Sequence, residues 1–137
     1  MAVLEQRDQV GAMDYPVRSE LGRDALRSMV GSARNNESQR GLVDLFATLS
    51  AEATSAEHPA HEFFVARYEA LLASLVGAYE VALAAGDLRD GVEPEIAAAQ
   101  LVSLMDGLQV QWLMGTLAAP MHQVIEAHLN LQLRTPL

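Results

Sequence analysis

A break between two helices in the C-terminal half places the strongest constraint on how this chain of 137 residues can fold. Gly86 is the kind of residue that ends a helix, and Pro94 suits the first turn of the next helix. That next helix is predicted to run for about six turns, to Gly115. Apolar residues cover most of its circumference, which predicts burial on most sides. In a chain this short, one side packs against its own domain, and the other is predicted to face a second copy.

The predicted self-association surface combines this helix with the last helix of the chain. A run of small residues on the first helix would let a partner helix approach closely. The last helix is predicted from Pro120 to about Leu133 and has one broad apolar face. We expect a homodimer that buries roughly 2,000 Å² or more in a four-helix arrangement. The predicted interface residues are Ala99, Ser103, Gly107, Val110, Met114, Met121, Val124, Ile125 and His128.

Helical periodicity extends over the rest of the chain, and no segment has the pattern of a strand. Ser19 and Ser38 are plausible N-caps. The fold class is predicted to be all-α, an antiparallel bundle of about five to six helices. Besides the two helices already described, the predicted helices are Met1–Tyr15, Val17–Ala33, Ser38–Thr54 and Pro59 to about Ala85.

Composition indicates one globular domain, residues 1–137. Half of the residues are hydrophobic and 20% are charged, so a core can form and disorder is not expected. No apolar run approaches the roughly 18 residues of a membrane span. The first nine residues lack the apolar centre of a secretion signal, so we expect a cytoplasmic protein with no membrane partner. Cysteine is absent, which excludes disulfides and thiolate metal sites.

Charge argues against nucleic-acid binding by this chain alone. The net charge is −9, and all of it falls in residues 41–137, because residues 1–40 contain equal numbers of arginines and acids. An acidic surface repels phosphate backbones and lacks the basic face that DNA binding requires.

No set of residues predicts catalysis or a metal site. His58 and His61 are three residues apart, but His58 precedes Pro59 and is expected outside the helix, with no third ligand nearby. There is no phosphate-binding glycine loop and no nucleophile elbow. Asp106 is a carboxylate in a mostly apolar helix and is expected to meet an arginine or a backbone donor. We therefore expect no enzyme activity, no cofactor and no metal.

Two segments resemble the C-terminal domain of the tetracycline-repressor (TetR) family of bacterial transcription regulators. They read HPAHEFFVARYEALLASLVGAYE and AYEVALAAGDLRDGVEPEIAAAQLVSLMDGLQVQWLMG. The resemblance extends over roughly Leu21 to Leu133 and implies a domain that dimerises and binds a small effector. In that family an N-terminal helix-turn-helix domain reads DNA. Because about twenty residues precede the first well-supported helix, we expect a regulatory domain without its DNA-binding domain. We expect such a regulator to contact DNA only through that missing domain.

A ligand site is expected where the inward faces of four helices converge. Flexible methionines and large aromatics suit an adaptable apolar pocket, and TetR-like domains hold a small-molecule cavity between such helices. We expect a largely apolar ligand, since no buried cluster of charge is visible, with the Tyr68 hydroxyl available to orient it. The predicted lining residues are Met29, Phe46, Phe64, Tyr68, Leu72, Met105, Leu108 and Trp112.

Two alternatives remain at this point. A helical-bundle structural or interaction module would have a filled core and no cavity. A small enzyme without a recognisable catalytic motif would need ionisable groups that converge inside the bundle, and the inward faces offer Tyr68, Tyr79 and His128 for that role.

Overall fold

Five α-helices account for most of residues 17–137, the part of the chain that the computed structural model describes. A short 3-10 helix, Ser19–Leu21, precedes them. Over these residues there is no β-strand, which confirms the predicted all-α class, and the predicted helix Met1–Tyr15 lies outside the described residues. The α-helices are α1 (Arg23–Asn36), α2 (Arg40–Glu52), α3 (His61–Ala84), α4 (Pro94–Met114) and α5 (Met121–Gln132).

The helix predicted at Val17–Ala33 is interrupted at Gly22. This glycine has a φ of 54°, and a Cβ at this position would lie 2.8 Å from the Cγ1 atom of Val81 on α3. The backbone therefore needs a residue without a side chain to pass α3 this closely. Ser19 is not an N-cap as predicted, because its hydroxyl donates to the Ser74 carbonyl at 2.7 Å and ties the 3-10 helix to α3.

Two other predicted helix starts differ from the structure. Ser38 does not cap α2; Gln39 occupies that position, and the Ser38 hydroxyl donates to the Asn35 carbonyl at 2.8 Å. Likewise α3 starts two residues after Pro59, because the Nδ1 atom of His58 accepts the Ala60 N–H at 3.0 Å and holds a turn there. In both places a local side-chain hydrogen bond competes with the first helical turn.

The core consists of two apolar clusters. The larger joins α1, α3, α4 and α5 around fully buried leucines, among them Leu26, Leu75 and Leu101. The smaller joins α2 to the first turns of α3 and contains Phe46 and Phe64. The two partly buried aromatics that pack against both clusters are Tyr68 and Trp112.

The turn between α3 and α4 is held by the end of α5. The Tyr79 hydroxyl on α3 donates to Oε1 of Gln132 at 2.5 Å, and both residues are buried. The Arg89 N–H donates to the Gln132 carbonyl at 2.8 Å, and the Arg134 N–H donates to the Asp87 carbonyl at 2.9 Å. These bonds fix the start of α4 relative to α3 and α5.

We predict that Tyr79→Phe lowers the free energy of unfolding by about 1–2 kcal/mol, because it leaves the buried side-chain Oε1 of Gln132 without its donor. Urea unfolding measures the change. The double variant Tyr79→Phe with Gln132→Met removes both polar partners and should recover part of the loss. Equal stabilities for Tyr79→Phe and the parent would contradict the prediction.

Candidate functional site

A cavity of about 480 Å³ lies between α1, α2, α3 and α4. This volume falls within the range of roughly 300–1,000 Å³ that small-molecule sites occupy. Two of its lining residues, Ala66 and Ala70, are exposed, so the cavity reaches the surface along this side of α3. The lining residues are Val17, Met29, Ser32, Asn36, Phe46, Phe63, Ala66, Arg67, Ala70, Leu71, Ser74, Val102, Met105, Asp106 and Gln109.

Three of the eight predicted ligand-binding residues line this cavity, namely Met29, Phe46 and Met105. They come from α1, α2 and α4, so the predicted convergence of these helices is present. The other five do not line the cavity. Helical periodicity shows that these five side chains point inward. It does not show which inward side chains are covered by other residues. Those five are Phe64, Tyr68, Leu72, Leu108 and Trp112.

Phe64 and Leu108 are buried inside the packed clusters, which leaves them no surface for a ligand. The Phe64 ring packs against Phe46 with ring centroids 5.7 Å apart. Trp112 is covered by the guanidinium of Arg40, which lies 5.5 Å from the ring centroid. Arg40 also donates to the Leu113 carbonyl at 2.8 Å, so this cation–π contact has a fixed geometry.

Polar side chains form a substantial part of the lining, which the sequence analysis did not foresee. The sequence analysis found no buried cluster of charge, whereas an arginine and an aspartate both line the cavity. The sequence signal was present in Asp106, a carboxylate within a mostly apolar helix, but its neighbours Tyr68 and Arg67 come from α3. The polar lining residues are Ser32, Asn36, Arg67, Ser74, Asp106 and Gln109.

Asp106 and Tyr68 form the central hydrogen bond beside the cavity. The Tyr68 hydroxyl donates to Oδ2 of Asp106 at 2.8 Å. Burial raises the pKa of Asp106 above its usual range, while the Tyr68 hydrogen bond and the nearby Arg67 charge partly offset this rise. Burial and the Asp106 charge raise the pKa of Tyr68, so its hydroxyl stays protonated and remains a donor at neutral pH. Arg67 lies with its guanidinium 4.6 Å from the centroid of the Phe46 ring.

Two carboxamides of the lining have a buried oxygen without a hydrogen-bond partner. They are Oδ1 of Asn36, the last residue of α1, and Oε1 of Gln109 on α4. The two residues are 7% and 8% exposed. Buried polar atoms in folded proteins are nearly always paired. Within the described part of the chain these two oxygens are therefore unpaired acceptors that belong to residues of the cavity lining.

Part of the predicted dimer surface is exposed on the single chain. Its five α4 residues, Ala99 to Met114, are all exposed, and nothing occupies the space beside Gly107. Ile96 and Leu131 are also exposed, although they are not among the nine predicted interface residues.

The α5 part of the predicted dimer surface needs a correction. Met121 and Ile125 are 2% and 1% exposed and lie in the chain's own core, so they are not available to a partner. Val124 and His128 are partly buried. Burial lowers the pKa of His128, which favours the neutral imidazole at pH 7.

No group of three or more metal-ligating side chains occurs among residues 17–137. His58 and His61 use their Nδ1 atoms in separate contacts: His58 accepts the Ala60 N–H, and His61 contacts the Ala53 carbonyl at 2.8 Å. None of the described helices is long and apolar enough to cross a membrane.

Comparison with curated proteins and with solved structures gives no significant match. The model of one protein family, described as the C-terminal domain of BetI-type transcriptional repressors, matches residues 22–134. That range includes α1 to α5 and all but one of the residues that line the cavity. The chain therefore belongs to this family of C-terminal domains of TetR-type transcriptional repressors, as the two resembling segments implied.

Proposed function

We propose that this chain is the effector-binding and dimerisation domain of a TetR-like transcription regulator, and that it senses a small, largely apolar molecule. The observation that carries the proposal is the cavity of about 480 Å³ between α1 and α4, in a domain of a repressor family. Apolar side chains from three helices, Met29, Phe46 and Met105, would contact the body of the ligand. The cavity favours this function over a structural module, whose core would be filled.

The geometry of α4 supports a link between effector binding and the arrangement of the dimer. Met105 and Gln109 line the cavity, while Ser103, Gly107 and Val110 are exposed. A ligand that displaces α4 at the cavity therefore also displaces the surface that a second copy would contact. In the intact regulator, such a ligand shifts the dimer between DNA-competent and DNA-incompetent arrangements only if its affinity for the two differs.

Homodimerisation is the second part of the proposal. Large apolar side chains of α4 and α5 are exposed on the single chain, and such residues are stabilised when a partner covers them. The bare backbone at Gly107 permits close approach of a second helix. The exposed apolar residues concerned are Ile96, Val110, Met114 and Leu131.

We predict that Met105→Trp weakens binding of apolar effectors by about tenfold or more, because the larger ring occupies the cavity. Thermal-shift screening of the parent with a panel of hydrophobic compounds identifies binders, and calorimetric titration compares the variants. The matched control is Leu83→Trp, which adds the same ring at a half-exposed leucine of α3 outside the cavity. If Met105→Trp binds as tightly as the parent, the ligand site is not this cavity.

We predict that the chain is a dimer at micromolar concentration and that Val110→Glu shifts it to the monomer, because two like charges would meet at the interface. Light scattering with size-exclusion chromatography measures the mass. Val65→Glu is the matched control: Val65 on α3 is 41% exposed, against 44% for Val110, and lies outside the proposed interface. A monomeric parent, or a Val110→Glu protein that stays dimeric, would show that α4 does not form the interface.

A further inference from the structure

Two buried carboxamides on different helices set the chemistry of the cavity. Asn36 is the last residue of α1, and Gln109 lies in the C-terminal half of α4. Both residues line the same cavity. Their side-chain oxygens are buried without a hydrogen-bond partner in the described part of the chain. An unpaired buried polar atom costs free energy. A ligand that supplies the missing donor would remove that cost, which gives it a gain that a purely apolar ligand lacks.

The charges of the lining balance each other. Among the lining residues that the structure describes, Arg67 is the cation and Asp106 is the anion, so their sum is zero. The Asp106 carboxylate already accepts the Tyr68 hydroxyl at 2.8 Å and is influenced by the Arg67 charge. A ligand with a net charge would bury that charge without an additional counter-charge, which is costly.

We propose that the effector is an uncharged molecule with an apolar body and a single hydroxyl or primary amide head, and that Asn36 and Gln109 hydrogen-bond this head. A carboxamide has an oxygen that accepts hydrogen bonds and an NH2 group that donates them. A head group that can both donate and accept therefore pairs with each side chain whichever way its amide is turned. The body of the effector packs on Met29, Phe46 and Met105. This inference rests on the proposed function, because it assigns the ligand of the same cavity.

The first test uses five probes of similar length that differ in the head group. They are 1-octanol and octanamide as neutral donors, methyl heptyl ether as a neutral molecule without a donor, and octanoate and octylammonium as charged molecules. Calorimetric titration of the full chain measures each affinity. Octanol and octanamide should bind roughly tenfold more tightly than the ether, because a site with unpaired hydrogen-bonding groups discriminates against a ligand that lacks the donor. The two charged probes should bind more weakly than octanol.

The second test uses Gln109→Met and Asn36→Leu, with Gln111→Met as the matched control on an exposed residue of α4. Each cavity variant should reduce the preference for octanol over the ether by about threefold or more, while the control leaves it unchanged. Each should also raise the unfolding midpoint of the ligand-free protein by roughly 2–8 °C, because an unpaired buried polar group is removed. A carboxamide with a merely structural role would lower that midpoint when replaced.

The outcomes separate this inference from the proposed function. If the ether binds as tightly as octanol, or if octanoate or octylammonium binds most tightly, the cavity is a ligand site but the assigned head group is wrong. If the cavity variants keep the full preference for octanol, Asn36 and Gln109 do not recognise the head. If none of the five probes binds while an unrelated compound binds and is blocked by Met105→Trp, the inference fails and the proposed function stands. If no compound of any class binds, both fail.

Discussion

The position of α4, with one side buried and the other exposed, is the constraint on which the rest of the structure depends. Its inner side closes the cavity and the larger apolar cluster, while its outer side leaves Gly107 and Val110 exposed. A helix that is apolar on most sides loses much of its stabilisation if either side stays in water. The bonds that join the α3–α4 turn to the end of α5 fix where this helix begins, and so they position the cavity and the exposed face together.

The sequence predicted best where the structural signals are local. The helix Pro94–Met114 was predicted with the boundaries that the structure has, because a proline at its first turn and a glycine with a φ of 76° after its end both act within a few residues. The predicted Val17–Ala33 helix failed at Gly22 for the opposite reason. Its break depends on contact with Val81, nearly sixty positions away in the chain, and no local pattern reports such a contact.

The difference between local signals and contacts between distant positions also explains which site residues could be predicted. Periodicity shows that a side chain points inward, and Met29, Phe46 and Met105, which it marked as candidate ligand-binding residues, line the cavity. It does not show whether an inward residue is covered by a neighbour, as Phe64 is by Phe46. Asn36 lies beyond the end of the predicted Val17–Ala33 helix, and its place in the lining is evident only where α1 and α4 line the same cavity.

The smaller cluster forms a packed aromatic wall on one side of the cavity. Phe46, Phe63 and Phe64 pack ring against ring, with centroids 5.7 and 5.2 Å apart, and the Arg67 guanidinium lies on the Phe46 ring. Rings of this size cannot shift without losing these contacts, so the wall that they form stays in place beside the open space. A domain that maintains a cavity and unpaired carboxamides gives up stability relative to a filled core. A ligand in the cavity would offset that loss, so the same features that weaken the empty domain would stabilise an occupied one.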